Sequence, residues 1–116
     1  MSSMILRMHS VHFDATQKLL DYVQKKVDKL DTFHDRIVDG EVVMRLEKSH
    51  LNKKEVFGNK TVELKINIPG QQLFVKDSSN TFESAADLVV DRMSRQLKRN
   101  KEKRQVRKVN LDANGL

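Results

Sequence analysis

Cysteine is absent from the 116 residues, which excludes disulfides, iron–sulfur ligation and thiol nucleophiles. A structural zinc site would need an all-histidine or carboxylate shell, and four scattered histidines do not supply one, so no metal and no cofactor is expected. Long apolar runs are missing too, so no membrane span or membrane partner is expected. The opening MSSMILRMHS lacks the charged n-region, apolar h-region and small-residue cleavage site of a secretory signal. The expectation is a cytoplasmic protein. Aromatic residues are few, five Phe and one Tyr, so stacking on nucleic-acid bases should be minor. The length fits one domain and leaves no room for a second.

Positive charge, by contrast, is plentiful and unevenly spread. The net charge is +6, from 22 Lys and Arg against 16 Asp and Glu. From Arg92 to Lys108 there are nine cations and one acid, Glu102, which leaves 13 cations and 15 acids elsewhere. The stretch from Arg92 to Lys108 is thus strongly basic while the remainder of the chain is mildly acidic. Such a concentration points to a polyanionic partner.

Periodicity gives the order of elements. Met4 to Met8 reads as a strand, and Asp14 or Thr16 can cap a helix from about Gln17 to Leu30. Leu20, Val23, Val27 and Leu30 form its apolar stripe, with Leu19 beside them. Its polar face centres on Lys18, Tyr22, Lys25 and Lys29, flanked by Lys26 on one side and Asp21 and Asp28 on the other. GEVVMRLEK alternates as a strand with Val42, Met44 and Leu46 inward. SHLNKKEVFGN is a polar loop, and NKTVELKINI alternates with Val62, Leu64, Ile66 and Ile68 on one face. Pro69-Gly70 signals a turn, and QLFVK returns as the last strand.

A second helix is expected from Asn80 or Thr81, with Asn80 and Glu83 resembling a capping box. Phe82, Ala85, Ala86, Val89, Val90, Met93 and Leu97 make its apolar face, and Arg92, Arg95, Arg99 and Lys103 run as a stripe beside it. The predicted fold class is α+β, a two-layer β-α-β-β-β-α sandwich with a four-stranded sheet and both helices on one face. A helix from Thr81 to Lys103 would span about 34 Å at about 1.5 Å per residue, against about 25 Å for the strands, so its last turns should project. Residues 1–104 are expected to fold as the domain, and residues 105–116 to form a flexible C-terminal tail.

Phosphate contact is the chemistry this pattern suits, because one or two cations suffice to complement a helix dipole and nine are present. Two basic helices side by side fit the spaced phosphates of folded RNA better than a DNA major groove. Tyr22 is the one exposed candidate for stacking, although packing at the sandwich edge is the simpler reading. Glu83, Asp87 and Asp91, at i, i+4 and i+8, could pair as catalytic or metal carboxylates, but they read more simply as N-terminal acids, with Asp91 within reach of Arg95. His9 and His12 read as strand-end and loop residues. Gly70-Gln71-Gln72 is similar to the Gly-Gly-Gln tip of peptide-release factors, yet after Pro69 it reads better as a hairpin turn. A general structured-RNA binder and a small ribosome-acting hydrolase using Gln71 or Gln72 are the alternatives.

The stretches "LLDYVQKKVDKLDTFHDRI", "VELKINIPGQQLFVKD" and "AADLVVDRMSRQLKRNKEK" resemble the ribosome hibernation promoting factors and ribosome-associated inhibitors of bacteria. The resemblance covers about Met4 to Lys103. It implies a domain similar to double-stranded RNA-binding domains that sits on the small ribosomal subunit between head and body. There it would cover the tRNA-binding and mRNA-decoding region and silence translation in starved or stationary cells, without enzymatic activity or a small-molecule substrate. The implied rRNA-binding positions are Lys26, Lys29 and Arg36 around the first helix and Arg92, Arg95, Arg99, Lys101 and Lys103 on the second; Lys18 and Lys25 are added from periodicity. Partners are the small subunit, its rRNA and the whole ribosome, the isolated protein being monomeric. Long members carry a second domain that joins two ribosomes, whereas this sequence matches the short form, with ribosome pairing a further role the resemblance raises.

Overall fold

A computed structural model describes the backbone of residues 4–47 and 59–113, with side chains as far as Lys103. The order is β1 (Leu6–Val11), α1 (Gln17–Asp28), a 3-10 turn (Lys29–Thr32), β2 (Asp39–Leu46), β3 (Lys60–Ile68), β4 (Gln71–Ser79) and α2 (Phe82–Ala113). The four strands form one sheet in the order β1-β2-β3-β4. β1 and β2 are parallel, joined by the long crossover through α1 that a parallel pair requires. β2, β3 and β4 are antiparallel neighbours. The β3–β4 turn is Pro69-Gly70, where Gly70 takes φ 74°, the positive value that the third position of a type II turn demands.

The expected alternation sets the core. Val42 and Met44 of β2 and Val62, Leu64, Ile66 and Ile68 of β3 are buried beneath Val23, Val27 and Leu30 of the α1 segment and Ala85, Val89, Met93 and Leu97 of α2. The predicted α+β sandwich is therefore the fold. Gly40 marks a tight point, because a Cβ there would lie 3.0 Å from Ile66 Cδ1, 3.1 Å from Leu6 Cδ1 and 3.2 Å from Met4 Sδ. The bare backbone lets three apolar side chains meet over the start of β2.

Several boundaries differ from expectation. β1 runs over Leu6–Val11 rather than Met4–Met8, because its parallel register with Gly40–Arg45 sets its limits. Met4 precedes the strand and is buried near Gly40 instead. On α1 it is Leu19 that is buried and Leu20 that is half-buried, and the α-helix tightens into the 3-10 turn at Lys29, which still carries Leu30 into the core. Leu46 is half-buried at the end of β2. β4 extends to Ser79 because the antiparallel register continues to Lys60↔Ser79.

At the start of α2 the cap is Thr81, whose Oγ1 accepts from Ser84 N–H at 3.0 Å, in place of the Asn80–Glu83 box. At its end the helical backbone continues to Ala113. The reason is local: no Pro or Gly interrupts the sequence between Phe82 and Ala113. The polar stretch from 49 to 59 lies outside the described residues except Asn59, whose carbonyl accepts from Glu47 N–H at 2.8 Å.

The sheet face away from the helices is laced with opposite charges. Arg7 lies 3.7 Å from Asp39, Arg45 3.4 Å from Glu63, and Glu41 has Lys65 at 3.7 Å and His9 at 3.4 Å. Such cross-strand pairs leave little net field on that side. The unbalanced charge is therefore on the helical side and at its ends.

Candidate nucleic-acid interface

Thr16 caps α1 by accepting from Leu19 N–H at 3.2 Å, which fixes where the helix begins. Lys18, Lys25 and Lys29 are exposed. Lys26 is half-buried and turned toward α2, where its Nζ lies 3.3 Å from Asp87 Oδ1. The Tyr22 hydroxyl donates to the same carboxylate at 2.9 Å. That hydrogen bond raises the Tyr22 pKa above its ordinary value, and the bond to Asp87 likewise raises that of Lys26. Tyr22 thus sits at the sandwich edge with its hydroxyl engaged, the simpler of the two sequence readings. Asp87 ties the two helices together, a role its place in the first turns of α2 did not reveal.

On α2 the stripe is divided by its partners. Arg92 donates to Asp77 Oδ2 at 3.0 Å and to the Lys76 carbonyl at 3.3 Å, bracing the helix on β4. Arg95 donates to Asp91 Oδ2 at 2.8 Å, as the i, i+4 spacing predicts. Arg99 and Lys103 are exposed and have no ion pair among the described residues. Lys101 is half-buried and lies about 200° around the helix from Arg99, so it does not share that edge. Of the implied positions on α2, Lys101 therefore stands off the stripe of Arg92, Arg95, Arg99 and Lys103, since two residues amount to more than half a turn.

Two grooves collect the predicted residues. One, about 470 Å³, runs between the helices and places Lys26 and Lys29 beside Phe33, Asp87 and Asp91. Its cations are matched by acids. The other, about 600 Å³, lies at one end of the sheet between the loop after α1, the β3–β4 turn and α2, and brings together Arg36, Arg99 and Lys103 with no carboxylate in its lining. Lys18, Lys25, Arg92, Arg95 and Lys101 lie in neither groove.

Sequence reasoning missed the polar frame of the larger groove. His34, only 2% exposed, accepts from Arg36 N–H at Nδ1 (3.1 Å). Nε2 is therefore the protonated nitrogen, and it donates to Asn100 Oδ1 at 3.0 Å. The Asn100 amide in turn donates to Gln71 Oε1 at 3.0 Å. A lone histidine in a turn carries no local signature of such a role. Gln72 donates to Asn67 Oδ1 at 2.8 Å, so both turn glutamines are held by neighbouring side chains. Among the described residues no group of His, Asp and Glu is arranged to hold a metal ion, and no helix is long and apolar enough to cross a membrane.

Residues 6–105 match the family model described as sigma 54 modulation protein / S30EA ribosomal protein. A ribosome hibernation promoting factor of Pseudomonas putida is 34% identical over 94 residues, 81% of this chain and 83% of that protein. One from Azotobacter vinelandii is 32% identical over 78% of this chain and 76% of its own length. Among solved structures, the N-terminal domain of Thermus thermophilus Protein Y superposes with TM-score 0.67 at 26% identity, covering 83% of this chain and 98% of that one. A ribosomal subunit interface protein from Coxiella burnetii shares the fold, with TM-score 0.70 at 20% identity over 85% of this chain and 99% of that one.

Proposed function

The chain belongs to the sigma 54 modulation protein / S30EA ribosomal protein family, and from that premise we propose that it is a ribosome hibernation factor acting in the cytoplasm without catalysis. It binds the small ribosomal subunit and its rRNA across the tRNA- and mRNA-decoding region and keeps both substrates out by occupying their space, in stationary or starved cells. The names of its relatives support the hibernation role. The observation that carries the binding surface is the acid-free groove of Arg36, Arg99 and Lys103 at one end of a sheet whose open face is charge-balanced. Exposed Lys18, Lys25 and Lys29 extend the cationic side along α1. Lys26, Arg92 and Arg95 contribute with part of their charge already spent on Asp87, Asp77 and Asp91.

Purified small subunits, sedimented with the protein through a series of salt concentrations, test the reading. Neutralising about six phosphates gives a log–log slope near −5. Inhibition of translation in vitro should follow the same salt dependence. Equal preference for a plain RNA duplex would leave a general RNA binder, and a salt-independent association would remove phosphate contact as the mode of binding. Inhibition that survives both Gln71→Ala and Gln72→Ala would remove the hydrolase alternative. Gradient profiles of ribosomes with and without the protein decide whether it also promotes ribosome pairs.

A further inference from the structure

The larger groove has features that contact with phosphates alone does not require. Its frame is built from three separate segments linked by hydrogen bonds, Arg36 N–H to His34, His34 to Asn100 and Asn100 to Gln71. Such a frame holds the groove in shape before a ligand arrives, which lowers the cost of binding. Beside its cations lies an apolar wall in which Pro69 is exposed and Ile68 and Leu73 show only their edges. An RNA backbone is gripped by cations and needs no concave apolar wall. Its volume of about 600 Å³ falls in the range of sites for small organic ligands. Two amides also have hydrogen-bonding capacity to spare among the described residues: the Gln71 NH2 group and the whole Gln96 side chain.

A ligand for this groove must combine an anion with a flat apolar body and polar edges. We propose that it takes one 5′-phosphorylated ribonucleotide unit, with the phosphate between Arg36, Arg99 and Lys103 and the ribose and base against Ile68, Pro69 and Leu73. Gln71 and Gln96 then meet the edge of the base. The inference rests on the RNA-binding reading above and narrows it, because a base-paired nucleotide cannot enter a groove and an unpaired one can. The unit arrives either within an RNA strand or as a free nucleotide, the chemistry at the groove being the same.

The test uses the whole chain, 15N-labelled and titrated by NMR with 5′-AMP, adenosine, inorganic phosphate and single-stranded tetra-adenylate. 5′-AMP should shift the amides of Arg36, Gln71 and Asn100 and bind at least about tenfold tighter than adenosine or phosphate, since each half adds contacts. The exposed double substitution Arg36→Gln with Arg99→Gln should erase that preference with the circular dichroism spectrum unchanged. Tighter binding of tetra-adenylate than of 5′-AMP assigns the groove to an RNA strand, and equal binding assigns it to a free nucleotide; both uphold it. Phosphate matching 5′-AMP, or shifts confined to the lysines of α1, overturns it. Sedimentation of the same samples with small subunits separates the two readings. Subunit binding without any groove response ends only the nucleotide site, and a groove response without subunit binding ends only the hibernation role.

Discussion

The Asp87 carboxylate of α2 stands 3.3 Å from the Lys26 ammonium of α1, so a cation that the sequence assigns to RNA is shared with the neighbouring helix. The same carboxylate accepts the Tyr22 hydroxyl. Asp87 therefore restrains both the position and the charge of the α1 face. This arrangement makes the ten predicted cations unequal, and the predictions below depend on that inequality.

Asp87→Asn should release Lys26. If the freed ammonium then meets a phosphate, the log–log salt slope of small-subunit binding steepens by about 0.9. Thermal stability should fall slightly, because the Tyr22 hydroxyl exchanges a charged acceptor for a neutral one. Anisotropy titrations at several salt concentrations read the slope, and an unchanged value would place Lys26 away from the RNA.

Arg99 and Arg95 are both exposed, but among the described residues only Arg95 has a carboxylate partner, Asp91 at 2.8 Å. Arg99→Gln should weaken subunit binding about tenfold, the size of one lost charge-assisted contact. Arg95→Gln should cost less. Dissociation constants measured at one salt concentration compare them, and equal losses would contradict the partition of charge described above.

Asp31 offers a test by pH. Although the residue is exposed, partial desolvation of its carboxylate first, and the neighbouring Asp28 carboxylate second, raise its pKa above 3.8. The folded protein therefore holds that proton more tightly than the unfolded chain does. The associated stability is complete below pH 3.8 and is lost as pH rises through the raised value. Asp31→Asn should accordingly raise the Tm at pH 7, with the gain shrinking in acid. A Tm difference independent of pH would mean the substitution acts otherwise.

The anchoring of α2 is measurable in urea. Leu97 is fully buried, and Leu97→Ala should cost about 2–5 kcal/mol. Thr81→Ala removes the hydroxyl that accepts Ser84 N–H and should cost about 1 kcal/mol. A negligible effect at Thr81 would return the cap to Asn80.

Local regularities were legible in the sequence because they repeat within a few residues. The alternation of Val62, Leu64, Ile66 and Ile68 fixed a half-buried strand, and Pro69-Gly70 fixed its turn. Val23, Val27 and Leu30 announced the buried face of α1, and the i, i+4 spacing announced the Arg95–Asp91 pair. Boundaries were less legible. The edges of β1 and β4 depend on which residues of a neighbouring strand remain to pair with, and strand register is a tertiary property.

By itself, then, the sequence determined the α+β sandwich, the basic character of its second helix and the family to which it is similar. The sandwich and the basic helix arise from periods of two and 3.6 residues and from the local density of charge, and the likeness to the family from the stretches LLDYVQKKVDKLDTFHDRI, VELKINIPGQQLFVKD and AADLVVDRMSRQLKRNKEK. Apart from Arg95, whose pairing with Asp91 the i, i+4 spacing announces, only the tertiary structure decided which of the described cations are ion-paired. Tyr22 and Asp87 are 65 residues apart, and His34 and Asn100 are 66 apart. Their meeting is imposed by the packing of α1 and its following loop onto α2. That packing spends Lys26 on Asp87, and it gathers Arg36, Arg99 and Lys103 around one groove without an acid.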